Sequence, residues 1–181
     1  MRSSQQQSRL KATAYHEAGH AVAALECDVP FRLVSIQADA ASLGRVVYGR
    51  LLHRHTFECL TPARRDAVER RLVVALAGPE AERLVRGRYN HVGASGDRAT
   101  VVELISRMPY SVEAQRCYTR FLRQRARDLV CGRTHEHASL DALALALLEA
   151  GKLTAAEARQ VHRETRRAQP MTDATTTQAK L

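Results

Sequence analysis

Two histidines four residues apart, His16 and His20, with Glu17 directly after the first, lie in a segment from Leu10 to Cys27 that is rich in alanine and poor in breakers. Alanine is the strongest helix former, so this segment is expected to be helical with Gly19 tolerated inside it. Side chains four apart on a helix project from one face, one turn apart, so both imidazoles aim at the same place and Glu17 sits beside them. A glycine in such a helix points to close packing of another backbone.

The pattern His-Glu-x-x-His on a helix is that of a zinc hydrolase. Neutral imidazoles hold Zn²⁺ at two positions, a third protein ligand completes the set, and the open position takes a water whose pKa falls to about 7. Glu17 is then the expected general base toward that water. The third ligand must come from elsewhere. The longer HExxHxxGxxH form fails, because Ala23 and Glu26 stand where its glycine and third histidine would be. Asp97, at an expected helix start after the glycine-bearing run Gly93, Ala94, Ser95, Gly96, is one candidate. Glu82, in the run Gly78, Pro79, Glu80, Ala81, Glu82, is its rival.

Around this motif the chain reads as mainly α-helical with a small β-hairpin or sheet. Phe31 to Gln37 and Gly44 to Leu52 are β-favouring and separated by a turn-like stretch, which predicts an antiparallel pair. Thr61 and Pro62 form an N-cap and first-turn pair opening a helix from Ala63 to about Val85, with a break or kink at Gly78 and Pro79. A helix is expected from near Asp97 to before Pro109, and an amphipathic one from about Ser111 to Val130. The latter has Tyr118, Phe121, Leu122, Ala126 and Leu129 on its packing stripe and Arg116, Arg120, Arg123 and Arg127 on a basic one. Leu140 to Glu149 reads as a shorter helix, and Thr154 with Glu157 fits a capping box starting a last helix to about Arg167. One domain over residues 10–168 is expected, with frayed polar tails at 1–9 and 169–181.

Composition narrows the partners. The formal charge is +9, and 25 of the 28 basic residues are arginine, which makes an acidic partner worth considering without identifying it, a solvated arginine face on the helix being the plainer reading. Aromatic residues are only 4%, with no Trp, which argues against stacking of single-stranded bases and makes nucleic acid the weaker choice. No stretch approaches the roughly 18 to 20 apolar residues of a membrane span, and Met1 to Gln7 has no apolar core of a secretory signal, so a cytoplasmic protein is expected. The four cysteines form no CxxC pair and are expected to be reduced, mostly buried thiols. The pairs His53 with His55 and His135 with His137 read as solvated side chains.

The run Ala14 to Val22 (AYHEAGHAV) resembles the zinc helix of the FtsH-type ATP-dependent zinc metalloproteases, and further matches follow in order. Leu33 to Ile36, then Leu43 and Gly44, resemble the strand and turn after that helix. Leu76 to Leu84 (LAGPEAERL) resembles the family's helix with a Gly-x-x-Ala-Glu pattern. Gly93 to Asp97, followed by Ala99 and Thr100, resembles the segment that carries its third zinc ligand. Leu147 to Glu149, then Leu153, Thr154 and Glu157, resemble its last two helices, so the likeness covers residues 10–169. It implies a zincin-like peptidase fold in which His16, His20 and Asp97 hold zinc, Glu17 is the base and Glu82 orients a ligand histidine. It also implies a metalloendopeptidase of unfolded or flexible protein segments, the substrate strand lying beside Leu43, Gly44, Arg45 and Val46.

Gln37, Ala38 and Asp39 replace the family's Pro-Arg-Gly turn, and Gly96 replaces its asparagine before the ligand aspartate. The family's Gly-Met-Ser segment is missing after Pro109, and no GxxxxGK[ST] phosphate loop occurs in the chain. The expectation is a stand-alone peptidase domain, served by a separate ATPase or acting on chains already unfolded, and compatible with a homo-oligomer. The contrasting expectation is a binding module that keeps metal as a structural element and engages an acidic protein or nucleic acid through its arginine stripe.

Overall fold

The computed structural model describes residues 3–37, 44–48, 61–132 and 135–168, the last without the side chains of 135 and 136. Its helices are α1 (Ser4–Glu26), α2 (Pro62–Arg86), α3 (Ser95–Ser106), α4 (Val112–Cys131), α5 (His135–Ala150) and α6 (Ala155–Ala168). The strands are β1 (Phe31–Ser35), β2 (Arg45–Tyr48) and β3 (Lys152–Thr154), in the sheet order β2-β1-β3 with antiparallel pairing throughout. The chain is thus mainly helical with a three-stranded antiparallel sheet. None of the described helices is long and apolar enough to cross a membrane.

Helix α1 starts six residues earlier than the sequence suggests. Ser3 caps it, its hydroxyl accepting from the Gln6 N–H at 3.3 Å, so Ser4 to Arg9, expected within a frayed tail, are helical though exposed. The remaining expected tail, 169–181, lies outside the described residues. On α1, Ala14, Ala18, Ala21 and Val22 are fully buried, and the Tyr15 hydroxyl donates to Asp141 on α5 at 2.8 Å. The close approach expected at Gly19 is against α2. A Cβ there would lie 2.6 Å from the Ala81 Cβ and 2.9 Å from the Ala77 carbonyl oxygen. Small residues on both helices therefore set how near α2 comes to the histidine-bearing helix.

Helix α2 begins as expected, with Thr61 as cap, accepting from the Arg64 N–H at 3.3 Å, and Pro62 in the first turn. It ends at Gly87, whose positive φ of 68° lets its N–H return to the Arg83 carbonyl. Of the expected break or kink at Gly78 and Pro79, the break is absent: the helix continues through both. A mid-helix proline costs about 3 kcal/mol. Here tertiary packing overrides it, because every residue from Leu72 to Glu82 is buried, with α1 on one side and α4 on the other.

The strand pair forms with Leu33 opposite Val47 and Val34 opposite Val46, and β3 joins the far side of β1. Residues 49–52 of the expected second strand lie outside the described residues. Helix α5 is longer than expected, and α6 carries the predicted capping box: Glu157 accepts from the Thr154 N–H at 2.7 Å while Thr154 accepts from the Glu157 N–H at 3.3 Å. On α4 the buried stripe is Leu122, Ala126 and Val130, whereas Phe121, expected to pack, is 54% exposed. Cys27, Cys117 and Cys131 are free thiols, Cys117 exposed and the other two half-buried, so the expected deep burial is not found. His137 sits against the Val130 carbonyl at 3.2 Å, next to the end of α4. His53, His55 and Cys59 lie outside the described residues.

Candidate metal centre

The helical register of α1 brings the His16 and His20 rings together, their Nε2 atoms 3.1 Å apart. Asp97, in the first turn of α3, reaches across to both: Oδ2 is 3.1 Å from His16 Nε2 and Oδ1 is 3.2 Å from His20 Nε2. One donor atom from each of the three residues lies within 4.8 Å of the others. The two histidines are nearly inaccessible, while Asp97 keeps 21% of its side chain open.

The outer nitrogens fix which way each ring faces. His20 Nδ1 lies 2.8 Å from the Val74 carbonyl oxygen and His16 Nδ1 lies 3.0 Å from Glu82 Oε2. Both partners are acceptors, so each Nδ1 carries a proton and each Nε2 offers a lone pair inward. Two lone pairs and a carboxylate then face one another at about 3 Å, an arrangement that needs protons or a cation at its centre. The donor set fits a metal. Four ligands at 2.0–2.1 Å in a tetrahedron sit about 3.3–3.4 Å apart, close to the separations found, and imidazole with carboxylate is a common zinc set. The backing of each histidine by an acceptor is likewise how ligand imidazoles are held.

Without a metal, the charges are shared within the cluster. Burial by itself would lower His16, but hydrogen bonds with Asp97 and Glu82 outweigh it and raise the imidazole to about 10. His20 is raised likewise, the Asp97 charge overcoming burial. Asp97 and Glu82 go the other way. Burial opposes ionisation of both, but the histidines around Asp97 hold it well below the usual carboxylate range, and bonds from His16 and Asn90 lower Glu82. Glu17 differs: burial raises its carboxyl, which makes it a readier proton acceptor than a free glutamate.

Glycine makes room for this arrangement in two places. A Cβ on Gly78 would lie 2.3 Å from His20 Nε2, so the ring packs directly on the α2 backbone beside Pro79. A Cβ on Gly44 would lie 2.9 Å from Glu17 Oε1, so the start of β2 is what the Glu17 carboxylate rests against. The His16, His20 and Asp97 cluster opens into a cleft of about 540 Å³ walled by Gly44, Arg45, Val46 and Tyr48 on one side and by the segment 90–97 on the other. Strand β2 is an edge of the sheet among the described residues.

His16, Glu17, His20, Asp97, Glu82, Gly44, Arg45 and Val46, all anticipated from sequence, therefore line one cleft. Leu43 lies outside the described residues. Asp97 and Glu82 do not compete for one place: Asp97 faces both Nε2 atoms, and Glu82 faces the outer nitrogen of His16. Tyr48, Arg86 and Asn90 also line the cleft and were not anticipated. Tyr48 carried only a β-propensity signal; Arg86 and Asn90 carried none. No family model matches the chain, and no curated protein matches it.

The basic stripe on α4 is engaged at one end, where Arg123 and Arg127 face α2, while Arg116 and Arg120 stay exposed. Arg127 donates to the fully buried Glu80 at 3.1 Å and Arg123 approaches the same carboxylate at 3.9 Å. Arg116 pairs with Glu113 at 3.7 Å on its own helix.

Proposed function

We propose that this chain is an FtsH-like, zincin-type peptidase domain: a zinc-dependent metalloendopeptidase that hydrolyses peptide bonds in unfolded or flexible protein segments. What carries the reading is the convergence of His16, His20 and Asp97, with Glu17 beside them, in an open cleft along a sheet edge.

His16, His20 and Asp97 would hold the ion. Bound zinc supplies Lewis acidity toward a substrate carbonyl and lowers the pKa of a water. Glu17 takes the proton from the attacking water as the new C–O bond forms, then gives it to the amide nitrogen as the C–N bond breaks. Its burial and raised pKa suit both halves of that task. Glu82 holds His16 by its outer nitrogen, and the Val74 carbonyl does the same for His20. The side of β2 that faces no described strand can take an extended peptide as an added strand, with main-chain bonds fixing its direction past Glu17. An extended segment is what such an edge accepts, hence unfolded or flexible substrates. The engagement of Arg123 and Arg127 with Glu80 weighs against a binding module that works through the α4 stripe.

The test is cleavage of casein by the zinc-loaded chain, with a chelator control and Glu17→Gln. Cleavage that stops with chelator and falls at least a hundredfold in Glu17→Gln, with zinc still bound, is expected. Undiminished cleavage by Glu17→Gln refutes the assignment of the base; zinc binding without any cleavage refutes the peptidase reading.

A further inference from the structure

We infer that Asn90 is a positioning residue of the metal centre: its side-chain amide ties the loop that delivers Asp97 to the carboxylate that orients His16. The inference rests on the metal-centre reading above. Asn90 lies between the end of α2 and the start of α3. Its Nδ2 donates to Glu82 Oε1 at 2.8 Å, and its Oδ1 accepts from the Gly93 N–H at 3.1 Å. Its backbone carbonyl accepts from the Ala94 N–H at 3.0 Å, one residue before α3 begins. The amide has one workable orientation, since the carboxylate only accepts and the backbone N–H only donates.

The supports of two of the three proposed metal donors therefore meet at this one side chain. On one side is Glu82, whose other oxygen holds His16 Nδ1. On the other is the turn at Gly93 and Ala94, from which α3 presents Asp97 three residues later. Arg86 also pairs with Glu82 Oε1, but from within α2, so it steadies the carboxylate without reference to Asp97. Asn90 links the two elements.

Gly93 supports the same conclusion independently. Its φ is not in the left-handed region, so the backbone does not call for glycine there. Space does: a Cβ at Gly93 would lie 2.3 Å from Asn90 Nδ2. A side chain at 93 would push the Asn90 amide off Glu82, and because that amide ends a flexible side chain, the loop itself need not break.

Titration of the full-length chain with Co²⁺, followed through its visible d–d bands and by competition with a chromophoric chelator, tests this. Asn90→Ala is expected to bind Co²⁺ several-fold to about tenfold more weakly than wild type, the lower end of the loss when a group behind a metal ligand is disturbed, because it acts through Glu82. Its bands should change shape, while the melting temperature of the chelator-treated protein stays near the wild-type value. Gly93→Ala should reproduce both effects, and the double variant should be no worse than the weaker-binding single, because both act through one amide. Unchanged affinity and bands in Asn90→Ala overturn the inference, as do losses that add in the double variant. A lower melting temperature with unchanged bands also overturns it, since that is a purely structural role. If wild type itself takes up no Co²⁺, the metal-centre reading fails and this inference with it; wild-type uptake that Asn90→Ala leaves intact removes the inference alone.

Discussion

Gly78 illustrates how far a single residue's role can lie from its local propensity. In an isolated helix, Gly→Ala gains about 1 kcal/mol. At 78 the added methyl would meet the His20 ring, with Nε2, Cε1 and Cδ2 all within 2.7 Å of it. Gly78→Ala is therefore expected to destabilise the fold, by about 1–3 kcal/mol as overpacking does. It should also weaken the proposed zinc binding, because the ring it displaces is one of the proposed donors. Urea denaturation of the chelator-treated protein and a zinc competition assay measure the two effects; a stabilised variant with wild-type zinc affinity would show that His20 does not pack there. His16 and His20 were legible in the sequence because their i, i+4 spacing aligns them on one helical face, with Glu17 next to the first. Asp97 and Glu82 could be named as rivals from the residues alone and told apart only through the family resemblance, since a carboxylate's facing depends on the packing of α2 and α3. Gly78 and Asn90 were illegible as parts of the site, because each acts on a side chain remote in sequence.

At the level of elements, most were legible from caps and periodicity, and the misses have physical causes. Strand β3 is three residues long, too short for a period, and exists because β1 has an edge to pair with. The uninterrupted α2 reflects burial on two sides, which sequence propensity does not register. That burial encloses Glu80, fully inaccessible and hydrogen-bonded to Arg127 of α4, with Arg83 at 3.4 Å. Removing one member of a buried ion pair costs roughly 3–5 kcal/mol. Arg127 is 37% exposed and regains water when its partner goes, so Glu80→Ala should lie at the low end of that range. Arg123→Ala should cost under about 1 kcal/mol, its head being 43% exposed and 3.9 Å away. Chemical denaturation of both variants separates a clamp between α2 and α4 from a solvated stripe; equal losses would contradict this ranking.

The cap of α6 has a pH signature. Bonds from the Thr154 N–H and hydroxyl lower the Glu157 carboxyl, so the folded state holds this proton less tightly than the unfolded chain. The stabilisation is present above the ordinary carboxylate range and is lost as pH falls through the lowered value. Wild type should melt above Glu157→Gln at pH 7, and the gap should close on acidification toward pH 3. A gap that is constant with pH would mean that the ionised carboxylate is not what holds the cap.

For the whole molecule, composition indicated a single-core size and a basic surface, while the site's energetics follow from how α1, α2 and α3 enclose one cluster of like-facing acceptors. Protons and metal compete for that cluster. With His16 raised to about 10 and His20 raised as well, the folded metal-free protein holds protons that the unfolded chain releases near the ordinary histidine value. Their stabilisation is complete below that value and drains away as pH rises toward 10. Zinc held as proposed must displace these protons, so its apparent affinity should rise over the same interval. At a free concentration of one hundred times the dissociation constant, a ligand that binds only the folded state adds about 2.7 kcal/mol. For a chain of this size that corresponds to roughly 5–10 °C in melting temperature. Scans at one fixed zinc concentration should therefore show a gap between zinc-loaded and chelator-treated protein that widens from pH 6 to pH 9, as the chelator-treated curve falls. In His16→Gln both the fall and most of the zinc gap should shrink, because that variant lacks a donor and the proton competing for it. A gap independent of pH, or one retained in His16→Gln, would place the zinc-dependent stability outside this cluster.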